Sequence, residues 1–238
     1  MTLELTAISA RRAYEYGIDS IRLSVICTEA VQANLIEAFK FKSAEVAIPQ
    51  STFGETQLTT PPGLVLQVGE ANARDGQVVP IRALMFDSVR IVIDIAAPSE
   101  FIDEIAARVF EVLSGHTAPD GRSLLGEPIA VRDQSDLVFE LRLPVTLGVA
   151  DPVWRVIARH IPSGYAPAVT LLIRASVTGI FGGAGEAFVL EPRGGSRIGA
   201  NSWFSSAPLP SAAHGSYVKE LVAAVSGRAR ARRRVQQA

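Results

Sequence analysis

Residues Val78 to Gly115 read VVPIRALMFDSVRIVIDIAAPSEFIDEIAARVFEVLSG, and this stretch decides the fold. Val89, Ile91, Ile93 and Ile95 fall on one side of an extended segment, while Arg90, Val92 and Asp94 fall on the other. That is the period of two of a half-buried strand. Pro98 ends it, and Ser99 stands where a helix is capped. Glu100, Asp103 and Glu104 place negative charge at the helix's positive end, and Phe101, Ile102, Ile105, Val109, Phe110 and Leu113 form one apolar stripe before Gly115. A sheet and a helix with one apolar face each can bury them only against one another or a neighbour, so the stretch predicts a two-layer α+β core.

Working towards the N-terminus, the turn-rich Asn72–Gly76 joins Leu64–Gly69 to Val78–Phe86 as a hairpin, and Asp87-Ser88 turns into the next strand. A polar, β-like run over 52–60 stops at Pro61-Pro62. Residues 3–16 fit either a helix or a strand with a turn. Ile21, Leu23, Val25 and Cys27 alternate with Arg22, Ser24 and Ile26, which predicts a strand. Thr28 then caps a helix carrying Val31, Leu35, Ala38 and Phe39, closed by Lys40 and Lys42.

Towards the C-terminus, the loop HTAPDGRSLLG at 116–126 marks a boundary. A strand follows at 137–143, Asp151-Pro152 opens a short helix through His160, and Val169–Val177 alternates as a strand. The glycine-rich loop 179–185 leads to a strand at 186–191, a further strand runs through 198–204, and Ser211 caps a last helix with Tyr217, Val218, Leu221, Val222 and Val225 on one face. Both parts share the order strand, helix, antiparallel strands, closing helix, although no residue-level repeat accompanies it. The expected architecture is a two-layer, largely antiparallel curved sheet with helices on one face, an order a duplicated β-α-β(n)-α unit would give. Residues 1–115 form the first half, 116–128 the connecting loop, 129–227 the second half and 228–238 a basic tail.

Composition bounds the function. Hydrophobic residues make up 48% and charged residues 20% of the 238-residue chain, enough for a large core and sparse for a fully solvated surface. Cys27 has no cysteine to pair with, and Met1-Thr2-Leu3-Glu4 begins neither a basic nor an apolar leader, so a cytoplasmic protein is expected. No apolar run reaches the ~20 uncharged residues of a membrane span. Arg228, Arg230, Arg232, Arg233 and Arg234 hold five of 23 basic residues; without them 18 face 24 acidic ones. An acidic body disfavours phosphate tracking, so any nucleic-acid contact would have to sit in that tail, which by default is solvated.

Candidate sites are few. His116, His160 and His214 have no partners at metal-ligand or catalytic spacing and read as ordinary surface histidines. Cys27 reads as a small core hydrophobe on a strand. The loop 179–185 lacks the Lys-Ser/Thr ending and the helix of a phosphate loop. Arg193, Ser196 and Arg197, with the tail arginines, could contact an anion or a partner, and Arg22, Arg90, Asp94, Glu140, Arg142 and Arg174 could line a groove on the polar sheet face, although solvated cross-strand pairs are the plainer reading. No catalytic, cofactor or metal set is identified. The expected function is therefore a non-catalytic interaction or assembly protein, an oligomerising adaptor with a protein partner or a second copy of itself. A small-molecule or peptide binder is the alternative, and an enzyme of unknown reaction is the third reading.

Overall fold

The computed structural model describes residues 3–47, 63–140, 171–174, 187–193 and 202–236. The chain divides into two compact units, one of residues 9–134 and one of 1–8 with 135–238. It is α+β, with antiparallel strands and helices packed alongside them.

The unit of residues 9–134 contains most of β1 (Leu5–Glu15), α1 (Leu23–Ile26), α2 (Glu29–Phe39), β2 (Ser43–Ala47), β3 (Gly63–Asn72), β4 (Val78–Asp87), β5 (Arg90–Ile95), α3 (Ile102–Ser114) and the start of β6 (Ala130–Glu140). Its strands lie in the order β2-β3-β4-β5-β1-β6. The β3–β4 hairpin and β5 form as the alternation predicts, in antiparallel register with Leu66 opposite Leu84 and Leu84 opposite Ile93. Ile91, Ile93 and Ile95 are wholly buried, and one core cluster joins them to Val31, Leu35 and Phe39 of α2 and Ile102, Ile105, Val109 and Leu113 of α3. Both helices thus cover the same side of the sheet. A 3-10 turn at Ser99–Phe101 leads into α3 after Pro98, since proline fixes its own φ and can open a helical turn without its missing N–H being felt.

Three local readings change. Residues 3–16 resolve as strand β1. Ile21–Cys27 is not a strand: Ile21 makes an isolated bridge to Leu125, and the amides of Val25, Ile26 and Cys27 donate back to Arg22 and Leu23 to close the helical turn α1. Seven residues of alternation cover less than two helical turns, too few to separate a period of 2 from one of 3.6. Cys27 accordingly ends a helical turn, half-buried, rather than lining a strand. Helix α2 also stops earlier than expected, because Lys40 takes a left-handed conformation at its C-cap, with φ +50°. Thr28 stands at the N-cap, but its hydroxyl donates to the Val25 carbonyl at 2.7 Å.

The other unit holds the start of β1, the end of β6, β7 (Leu171–Arg174), β8 (Ala187–Pro192), β9 (Ser202–Ala207) and α4 (Ser211–Gln236), in strand order β1-β6-β9-β8-β7. Leu137, Phe139, Leu190 and Trp203 from the strands bury against Val218 and Val222 of α4. The buried positions on the described part of α4 are Ser211, His214, Val218 and Val222, spaced three and four apart as one helical face requires. Its backbone stays helical through Gln236, so the arginine stretch continues the helix. The polar run at 52–60, the helix at 152–160 and the loop at 179–185 lie outside the described residues, as does most of the strand expected at 169–177.

Two adjacent residues in β3 test the packing in opposite directions. Val68 has φ +56° and is half exposed, a conformation that crowds a β-branched side chain. Val68→Asn is expected to stabilise by about 1 kcal/mol and raise the thermal midpoint by ~2–4 °C. At Gly69 a Cβ would meet the Phe41 ring at 2.6 Å and the Phe39 carbonyl oxygen at 2.8 Å, so Gly69→Ala is expected to cost ~1–3 kcal/mol. Thermal unfolding of both variants checks the pair.

Candidate functional site

The sheet face opposite α2 and α3 carries a row of side chains in register across four strands. Val65 of β3 lies opposite Met85 of β4, Met85 opposite Val92 of β5, and Val92 opposite Ala13 of β1. All four are partly exposed. Charged pairs frame the row. On one side Asp94 lies opposite Arg11 and accepts from its guanidinium at 2.6 Å. On the other, Arg90 Nε donates to Asp87 at 2.9 Å, and Arg132 Nε lies 2.9 Å from Glu15. The result is an apolar strip bounded by ion pairs whose charges are already matched.

Of the six residues expected to line a polar sheet-face groove, the structure brings two, Arg90 and Asp94, to this face. Arg22 precedes α1 and lies 3.5 Å from Asp120. Glu140 ends β6, exposed, in the other unit. Arg142, Ser196, Arg197 and the side chains of Arg174 and of Arg228 to Arg234 lie outside the described residues. Arg193 is exposed just after β8, with its backbone N–H donating to Ser202. Sequence reasoning missed Arg11, Glu15 and Arg132 because residues 3–16 had no assigned element and the strand read at 137–143 began after Arg132, and a strand's faces cannot be sorted before it is known to be a strand.

On the helix side of the same strands, Arg12 Nε donates to Asp133 at 2.7 Å, and its Nη1 donates to Asp103 of α3. Burial opposes the guanidinium's charge, but hydrogen bonds to Asp133, Tyr14 and Asp103 more than offset it and raise its pKa above the usual value. Tyr14 packs edge-on against Phe110 of α3, with ring centroids 5.2 Å apart. A groove of about 290 Å³ lies between the β3–β4 turn and α3, with Arg74, Phe101, Glu104 and Arg108 among its walls. It falls just under the usual ~300–1,000 Å³ of small-molecule sites.

The histidine expectation is corrected at one position. His116 stays partly exposed, with Nε2 2.9 Å from the Asn34 amide, and His160 lies outside the described residues. His214, in contrast, is fully buried. Its Nδ1 lies 2.9 Å from Ser135 Oγ of β6 and its Nε2 2.9 Å from Ser205 Oγ of β9. Each hydroxyl also has a carbonyl acceptor, Leu209 at 2.7 Å for Ser135 and Val189 at 3.0 Å for Ser205. Those four contacts need four protons; two hydroxyls and a neutral imidazole supply three, and an imidazolium supplies all four. One added hydrogen bond from a charged donor is worth roughly 1.5–3 kcal/mol, whereas removing a charge from water costs several, so the neutral ring wins. Burial accordingly pushes the pKa down from 6.5 to about 4, against the opposing effects of Asp136 and a Ser135 backbone hydrogen bond. A serine and histidine in contact suggest an activated nucleophile, but the buried ring and the carbonyl-bonded hydroxyls describe a clamp between a helix and two strands. Cys27 is likewise poorly suited to attack, since burial raises its thiol pKa.

The two carboxylates on Arg12 are expected to differ in worth. Asp103 is 76% exposed and Asp133 18% exposed. Asp103→Asn should therefore cost less than about 1 kcal/mol, and Asp133→Asn roughly 1–3 kcal/mol. Urea titrations of the two variants measure the difference, and equal costs would show that burial does not control this network. No protein-family model matches the sequence, and no curated protein matches it.

Proposed function

We propose that this chain is a non-catalytic interaction or assembly protein that docks a protein partner, with a second copy of itself as the first to test, on the sheet face centred on Met85 and Val92. The observation that carries this reading is the row Val65–Met85–Val92–Ala13, apolar and in register, on the side of the sheet away from α2 and α3. An apolar core with a polar rim is the usual anatomy of a protein interface. The sparse charge of the chain points the same way. The groove beside α3 supports a second reading, a small-molecule binder, through its arginine and glutamate walls around Phe101 and Ile105.

Met85→Glu and Val92→Glu test the leading reading, because partly exposed positions accept a charge in the folded chain but not beneath a partner. Sedimentation equilibrium at micromolar concentration should give a mass above the monomer for the wild type. Each variant should keep its thermal midpoint within a few degrees and weaken association at least roughly thirtyfold, about 2 kcal/mol. A wild type of monomer mass, or an assembly unmoved by both substitutions, overturns the reading for a second copy.

A further inference from the structure

We infer that His214 is an acid-sensitive latch: its neutral ring holds α4 to β6 and β9 through Ser135 and Ser205, and protonation releases this part of α4 from the strands. The geometry places the ring where such a switch has leverage. On the described part of α4 the buried face consists of Ser211, His214, Val218 and Val222, so two aliphatic side chains share that face with one titratable group. Tyr217 and Leu221 add partial cover. Both ring nitrogens are engaged, each by a different strand, so movement of α4 away from the sheet breaks both contacts together.

The surroundings decide which protonation state stays docked. From β6 the charged group acting on the ring is Asp136, next to Ser135. From β9 the ring meets Ser205, bonded in turn to the Val189 carbonyl of β8, and α4 itself offers the neutral phenol of Tyr217, with ring centroids 6.4 Å apart. The ring is itself out of water, so an imidazolium loses its hydration while docked and regains it once α4 opens. With a pKa near 4 docked and 6.5 when solvated, the ring's contribution to docking is complete above about pH 6.5 and is lost as pH falls towards about 4. At pH 5 the opening equilibrium of α4 should be about 20-fold more populated than at pH 7. The backbone of the segment released continues as helix through Gln236, past Arg228 to Arg234.

Hydrogen exchange on the full chain at pH 7 and pH 5, corrected for intrinsic rates, tests this. Protection over 211–222 should fall about 20-fold relative to pH 7 while that of β3, β4 and β5 holds. His214→Phe should remove the pH dependence, since both serines can keep their carbonyl acceptors beside an apolar ring. Unchanged protection in the wild type, the same loss in His214→Phe, or a parallel loss across β3 to β5 each overturns the latch. Should His214→Phe fail to fold, imidazole ¹⁵N spectra of the wild type decide: the docked ring must be mostly neutral at pH 5, and titration near 6.5 with α4 still protected overturns the proposal.

Discussion

The burial of one face of β5 constrains everything around it. Ile91, Ile93 and Ile95 are completely removed from water, and each contributes roughly 1.5–3 kcal/mol by that removal. Their sum is comparable with the ~5–15 kcal/mol net stability of a typical domain. A slip of β5 by one residue would turn all three outward and drive Arg90 and Asp94 into the core, so the register is fixed by energy as well as by hydrogen bonds. Fixing that register also fixes the other face. Val92 can lie opposite Met85 and Ala13 because its neighbours in sequence are held below the sheet.

This dependence explains which parts could be read from the sequence. The hairpin and α3 were legible because each is long enough for its period to show, and short β5 because its inward residues, Val89, Ile91, Ile93 and Ile95, are all β-branched and it lies between a turn and Pro98. Strand β1 was not, since Arg11 and Arg12 are adjacent and so put charge on both faces. Arg11 pairs with Asp94 on the open side, while Arg12 reaches Asp133 and Asp103 on the helix side. Those partners lie 83 to 121 residues away in the chain, and local spacing carries no signal of them. The strip on the open face was half legible: Arg90 and Asp94 followed from the alternation of β5, whereas the framing residues needed β1 and β6.

His214 shows a different limit. Ser205 is nine residues away and Ser135 is 79, neither at a spacing associated with a site, and histidine is often exposed. A signal was nevertheless present in the helix, because His214 lies four residues before Val218 and eight before Val222 on the face that docks. Reading that stripe back by one more turn would have placed the imidazole in the core and raised the question of what satisfies it. The answer is polar, specific and supplied by two strands, and buried groups of this kind tolerate little change because a lost partner leaves its mate unpaired.

The frame around the Met85–Val92 strip also has a kinetic consequence. Three arginines, Arg11, Arg90 and Arg132, are matched there by Asp94, Asp87 and Glu15, so the ion pairs bring no net charge to the face. On the docking reading proposed above, these pairs would add little steering of their own, leaving long-range approach to the acidic body and the basic tail, and the lifetime of the pair would be governed by how slowly water returns to the strip.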